Sequence, residues 1–232
     1  MSNNKALRLP PPRNVNSSKA FTLAEVLITL GIIGIVAALT IPALIGNYQK
    51  QVTITSLKKA YSIINQAKNL STIDNGEFEY WDNTLPPEQY LNKYWTPYFK
   101  GAIICFEHTQ CGYKDEASWK APTGDYTKFT YPDFRVPFIT EDGILYSISL
   151  NNVADTDIGK KLILIDTNGP KRPNKSGNDF FFLIRTDEGN ILPYGYDKSN
   201  DEIDANCISG NKQYCAAKIF KDGWTIKKDY PW

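Results

Sequence analysis

The chain has 232 residues, 42% hydrophobic and 22% charged, which is enough for one domain with a core plus an appendage. Lys and Arg total 26 against 25 Asp and Glu, so the formal net charge is +1 and nonspecific nucleic-acid capture through an overall field is excluded. Charge is uneven only at the start, where Lys5, Arg8, Arg13 and Lys19 stand without an acid and Pro10, Pro11 and Pro12 read as an extended tail.

Residues 21–45 follow, a largely apolar run with no charge except Glu25. At ~1.5 Å per residue they form about 37 Å of helix, enough to cross a hydrocarbon core of ~30 Å. The run is too long for the ~7–15-residue apolar stretch of a secretory signal peptide, and no small-x-small cleavage site precedes a polar start. A carboxylate inside such a span costs ~2.5–3.5 kcal/mol and marks function. Gly31 and Gly34 permit close backbone approach, and Pro42 removes a backbone donor, so a kink or loosened turn is expected there.

The helix is expected to continue over residues 46–72. Leu57, Ala60, Tyr61, Ile64, Ala67 and Leu70 form an apolar stripe at helical spacing, opposite Lys58, Lys59, Asn65 and Lys68. Residues 71–97 read as a loop-rich connection, with turn signals at Asp74-Asn75-Gly76 and Pro86-Pro87. Trp81, Trp95 and nearby tyrosines read as filling for an irregular core, with sugar stacking or a subunit contact as the other use of such aromatics. Strands are expected at 134–140 and 144–150 around a Glu141-Asp142-Gly143 turn, then at 161–166, 179–185 and 191–195. One long helix followed by several antiparallel strands is an α+β arrangement, with the helix laid on a sheet. Residues 207–232 read as a disulfide-closed loop with an aromatic tail.

The four cysteines fall into two close pairs, Cys105 with Cys111 and Cys207 with Cys215. Three connectivities are possible; the local pairs cost least loop entropy and suit an oxidising compartment, whereas four buried free thiols would suit the cytosol. His108, the one histidine, lies midway between Cys105 and Cys111, a spacing that offers three zinc ligands without an evident fourth. Asp166, Asn168 and Asp179 place oxygen side chains around a turn that could hold calcium, although the spacing is not that of an EF-hand and hairpin chemistry explains the residues equally well. No nucleophile elbow, phosphate-binding glycine loop, dinucleotide fingerprint or zinc-protease helix occurs, so no enzyme is expected and no cofactor beyond that calcium.

The stretch Ser17-Ser18-Lys19-Ala20-Phe21-Thr22-Leu23-Ala24-Glu25 resembles the cleavage and methylation motif of type IV prepilins and pseudopilins. The resemblance covers Lys19 to about Leu70; the head is similar in layout and in a late Asp-x-Asn-Gly segment, which in some pseudopilins holds calcium. It implies a leader over 1–20, cleavage by prepilin peptidase between Ala20 and Phe21, and methylation of the new amine. It also implies a pilin-like fold: a membrane and filament-core helix over 21–45, an amphipathic continuation over 46–72 and an extracytoplasmic head over 73–232. Glu25 would pair with the Phe21 amine of a neighbouring subunit, and a proline at position 42 also matches the family. Ala20 stands where the family has glycine. The implied partners are other pilin or pseudopilin subunits, the peptidase, the assembly or secretion machinery and membrane lipid. The flanking charges bias orientation only slightly, and the paired cysteines place the C-terminal part outside the cytoplasm. The alternative is a membrane-tethered module that binds a glycan or another ligand.

Overall fold

The computed structural model describes residues 21–121, 124–128, 135–149 and 161–232; the Ala20 side of the expected cleavage lies outside them. Helix α1 runs over Leu23–Asn75 and is continuous through Pro42. The chain divides into two compact units, one reaching to Gly46 and the other comprising Asn47–Trp232.

In the first unit the apolar side chains have no protein cover. Phe21 is 85% exposed, Leu39 75% and Leu44 70%, and none of the most apolar 18-residue window is buried. The few hydroxyls are satisfied within the helix, Thr29 donating to the Val26 carbonyl and Thr40 to that of Val36, each at 2.9 Å. A helix whose backbone and hydroxyl groups bond internally, and whose surface is otherwise hydrocarbon, is long and apolar enough to cross a membrane.

In the second unit α1 buries Ile54, Leu57, Ala60, Ile64, Ala67 and Ser71. Four of the six residues of the expected stripe are among them; Ile54 joins at the start and Tyr61 is only partly buried against the core. After Ala67 a step of four returns to the buried face at Ser71, while Leu70 is left 50% exposed. The helix ends beyond the expected 72, at Asn75, because Gly76 adopts the left-handed conformation (φ +83°) and its N–H reaches the Thr72 carbonyl at 3.0 Å.

Among the described residues eight strands follow, named in chain order: β1 Ile103–Ile104, β2 Trp119–Lys120, β3 Tyr126–Thr127, β4 Pro137–Ile139, β5 Leu145–Ile148, β6 Leu162–Asp166, β7 Phe180–Arg185 and β8 Ile191–Pro193. Six form an antiparallel sheet in the order β1-β4-β5-β6-β7-β8, and β2 pairs with β3 apart from it. The outer strands are brief, β1 having two residues and β8 ending on Pro193. Both sheet faces are covered. Ile163 and Ile165 of β6 and Phe181 and Leu183 of β7 join the core shared with α1, whereas Leu164, Phe180 and Leu145 meet Trp119, Tyr113 and the Cys105–Cys111 bridge behind. The alternation of strand side chains thus serves two cores.

Residues 71–97 are more ordered than a loop. The short helix α2, Pro87–Tyr94, begins on Pro87, whose missing N–H costs nothing in the first turn. It buries Tyr90, Leu91 and Tyr94 beside Trp81 and Trp95; Trp81 stacks on Tyr94 with centroids 4.6 Å apart. Toward the other end α3, Asn200–Asp204, is capped by Ser199 and Glu202, and α4, Cys215–Lys221, replaces part of the expected terminal loop. The structure pairs Cys105 with Cys111 and Cys207 with Cys215. His108 lies in the turn between the first pair; with both thiols in a disulfide, zinc ligation by that trio is excluded.

Lys218 of α4 holds the terminal segments together. Its buried ammonium meets Asp204 and Asp229 at 2.7 Å each, with Asp222 at 3.7 Å. Burial alone pushes the ammonium down; the hydrogen bonds it donates to Asp204 and Asp229 outweigh this and the net direction is up. Lys218→Met leaves Asp204 and Asp229 without this cation, while Asp222 keeps Lys227. Because Asp204 and Asp229 are about half exposed, the expected loss is discounted to about 2 kcal/mol, read from urea unfolding of the full chain.

Candidate functional site

The one carboxylate of the first unit sits at the first turn of α1. Thr22 precedes the helix and Glu25 is its third residue, the arrangement of a capping box. Thr22 donates its backbone N–H to Glu25 Oε2 at 2.8 Å and its hydroxyl to the same oxygen at 2.9 Å; Glu25 N–H donates to the Thr22 hydroxyl at 3.2 Å. Two N–H groups that the helix leaves without carbonyl partners are thereby satisfied. Glu25 Oε1 accepts no hydrogen bond from the described residues. The side chain is therefore aimed back along the helix toward Phe21, with one oxygen available to a donor from outside. Phe21 itself is 85% exposed and lies just ahead of the helix. Sequence reasoning picked out Phe21 and Glu25 and passed over Thr22, although a Thr three residues before a Glu is itself the signal of such a cap.

A second polar cluster lies inside the head. Asp166, at the end of β6, is fully buried; its Oδ2 receives the Tyr113 hydroxyl and the Trp119 indole N–H, each at 2.8 Å, and its Oδ1 a longer 3.3 Å contact from Asn168 N–H. Asp179 takes Lys175 N–H on Oδ1 at 2.6 Å, and Asn174 N–H and Asn168 Nδ2 on Oδ2 at 2.7 and 3.2 Å. Burial first, then the neighbouring Asp179, pushes Asp166 up to about 8. Burial also pushes Asp179 up, against the hydrogen bonds it accepts. The three residues named for calcium are thus together. Their carboxylates serve as acceptors that fasten the 113–119 and 168–175 segments to the sheet. Among the described residues no group of three or more His, Cys, Asp or Glu is placed to hold a metal ion. Tyr113 and Trp119, which sequence reasoning did not single out, are 53 and 47 residues from Asp166, too far along the chain for any local pattern to announce them.

Comparison with known families gives two matches. Residues 15–41 match the prokaryotic N-terminal methylation motif, and residues 43–120 match a family of unknown function (DUF6613). No curated protein and no solved structure matches the chain. The motif match spans the expected cleavage, the Thr22–Glu25 cap and most of the uncovered apolar helix. The head beyond supplies the antiparallel half of an α+β architecture. In these two respects, a prepilin-type methylation motif and a long N-terminal helix followed by an antiparallel sheet, the chain resembles the type IV pilins and pseudopilins.

Proposed function

We propose that the chain is a structural subunit of a type IV pilus or a type II secretion pseudopilus. Prepilin peptidase cuts between Ala20 and Phe21 and methylates the Phe21 amine; the subunit waits in the inner membrane with its N-terminus cytoplasmic and its head outside, then enters the filament through residues 21–45. Assembly pairs Glu25 of an incoming subunit with the terminal amine of a neighbour, so that each buried charge meets its opposite. One observation carries this reading: a helix with no protein cover holds a single carboxylate in its first turn, one oxygen of which the chain's described residues leave open. Two disulfides support the outside placement of the head.

Mass spectrometry of the membrane-extracted protein tests the processing step. The expected mature chain begins at a methylated Phe21; an intact Met1 start in cells that carry an active prepilin peptidase would overturn it. The glycan-binding alternative drew on aromatics of residues 71–97, and its strongest candidates, Trp81 and Trp95, are 2% and 0% exposed. Tyr80, at 80%, is the large exposed aromatic of that segment.

A further inference from the structure

We infer that the heads of neighbouring copies interlock: an acidic turn bearing Tyr80 on one copy enters a basic, proline-walled cleft on the next. The inference rests on the reading of the chain as a filament subunit, and it names a contact that the heads themselves make.

The turn supplies one side of the contact. Residues 69–92 hold five acids, Asp74, Glu77, Glu79, Asp82 and Glu88, and no Lys or Arg. Three of these acids are answered within the head. The Tyr98 hydroxyl donates to Asp74 at 2.9 Å, and hydrogen bonds from Thr84, with Lys93 nearby, hold the Asp82 carboxyl below its usual value. Glu88 stands in the first turn of α2, where the helix end favours an acid. Glu77 and Glu79 are left, and among the described residues neither forms an ion pair. They flank and enter a single helical turn, Phe78–Tyr80, to which the Glu77 side chain gives no capping bond. Tyr80 is 80% exposed, yet the turn under it is fixed: the Phe78 centroid lies 4.5 Å from that of Trp81 and 4.9 Å from the Arg185 guanidinium. The Trp81 indole in turn donates to the Gly76 carbonyl at 2.9 Å. A ring and two carboxylates on a fixed base lose little freedom when they dock.

The cleft supplies the other side. It has a volume of about 540 Å³ and is lined by Pro170 and Pro173, with Lys114 and Arg172 against one acid, Asp115. Residues 167–178 bring three bases, Lys171, Arg172 and Lys175, and no acid. The acids that border this segment, Asp166 and Asp179, are buried and accept from neutral donors. Lys114 and Arg172 form no ion pair among the described residues. Proline rings beside a guanidinium suit the face of a tyrosine, and the planar fork of Arg172 suits a carboxylate.

Position decides the occupant. Phe78 packs on the core that the sheet shares with α1, whereas Tyr113, at the cleft, belongs to the core behind the sheet. Turn and cleft therefore lie on opposite faces of the sheet and do not meet within one chain. Between two copies they can meet, and the pair then still offers one free turn and one free cleft. Such a contact is heterologous and grows by repetition, as a filament requires and a closed dimer does not.

The test reverses the charges in the full chain and reads, by immunoblot, the subunits recovered in sheared filaments. Glu77→Lys with Glu79→Lys is expected to lower recovery at least about tenfold, and so is Lys114→Glu with Arg172→Glu, because like charges then face each other. All four changes together bring opposite charges back into register and are expected to restore most of the recovery. Thiol alkylation of the membrane-held chains checks that both disulfides have formed. Where a reversal disturbs them, Tyr80→Ser carries the test, with a similar loss expected and normal recovery overturning the contact. If the reversed variants assemble as the parent chain does, the contact is overturned and the subunit reading stands. If each reversal blocks assembly and the combination does not restore it, a second copy is overturned as the occupant. If the parent chain forms no filament, the subunit reading falls and this inference with it.

Discussion

Glu25→Ala is expected to leave the chain inserted in the membrane and to keep it out of the filament. The substitution shortens a single exposed side chain in the first turn of the helix, so insertion becomes easier, by less than the ~2.5–3.5 kcal/mol that a carboxylate costs at the centre of a span. Assembly loses far more. Removing one partner of a buried ion pair costs about 3–5 kcal/mol, because the amine left behind has no counter-charge, and this corresponds to at least about a hundredfold fewer subunits incorporated. Alanine also removes the Thr22 cap, worth about 1 kcal/mol, so the effect needs apportioning. Glu25→Gln does this, since its amide oxygen can still accept from Thr22 while the charge is gone. Immunoblots of sheared filaments and of membranes read both variants. Failure of both to assemble identifies the charge as the requirement; normal incorporation of Glu25→Gln would remove ion pairing from the account.

The second large effect concerns pH. In the unfolded chain Asp166 releases its proton near 3.8; in the folded head burial and the nearby Asp179 hold it up to about 8. Between those values the folded state binds more protons than the unfolded one, so raising the pH favours unfolding. The stabilisation is complete below about pH 4 and is lost as the pH climbs through about 8, by up to about 1.4 kcal/mol for each unit. Asp179, pushed the same way, adds to the slope. Oδ2 of Asp166 already receives two strong donors, which leaves Oδ1 to carry the proton. Asp166→Asn imitates that neutral group and keeps an oxygen for Tyr113 and Trp119. Urea unfolding across this pH range is expected to show a falling curve for the parent chain and a flatter one for Asp166→Asn, with the variant the more stable of the two at alkaline pH. A parent curve without slope would remove the shared burial of the two acids as its cause.

The long helix and the central strands were legible because their signals are local and periodic. Leu57, Ala60, Ile64 and Ala67 announce a buried helical face, and the turn at Glu141-Asp142-Gly143 announces the β4–β5 hairpin. Strands β1, β2 and β3, two residues each, are too short for any alternation to register and exist through pairing alone. Pro86-Pro87 was read as a break when Pro87 in fact opens α2, since the same ring that ends a helix suits its first turn. Helix α4 is seven residues long and starts at a bridged cysteine, so tertiary contacts rather than propensity hold it. Of the functional residues, Glu25 stood out because it is the one charge in an apolar run. Asp179 was grouped with Asp166 around one turn, but Tyr113 and Trp119 could not be, because they reach Asp166 only once the sheet has formed.

The borders of that sheet also restrict how copies of the head can meet. A growing stack of strands needs a long rim of free N–H and carbonyl groups, and β1 offers two residues while Pro193 on β8 has no N–H to give. In the proposed filament, heads crowded side by side at very high local concentration would thereby be protected from fusing into an amyloid-like ribbon, and ordered growth would be left to the helix and to contacts between side chains.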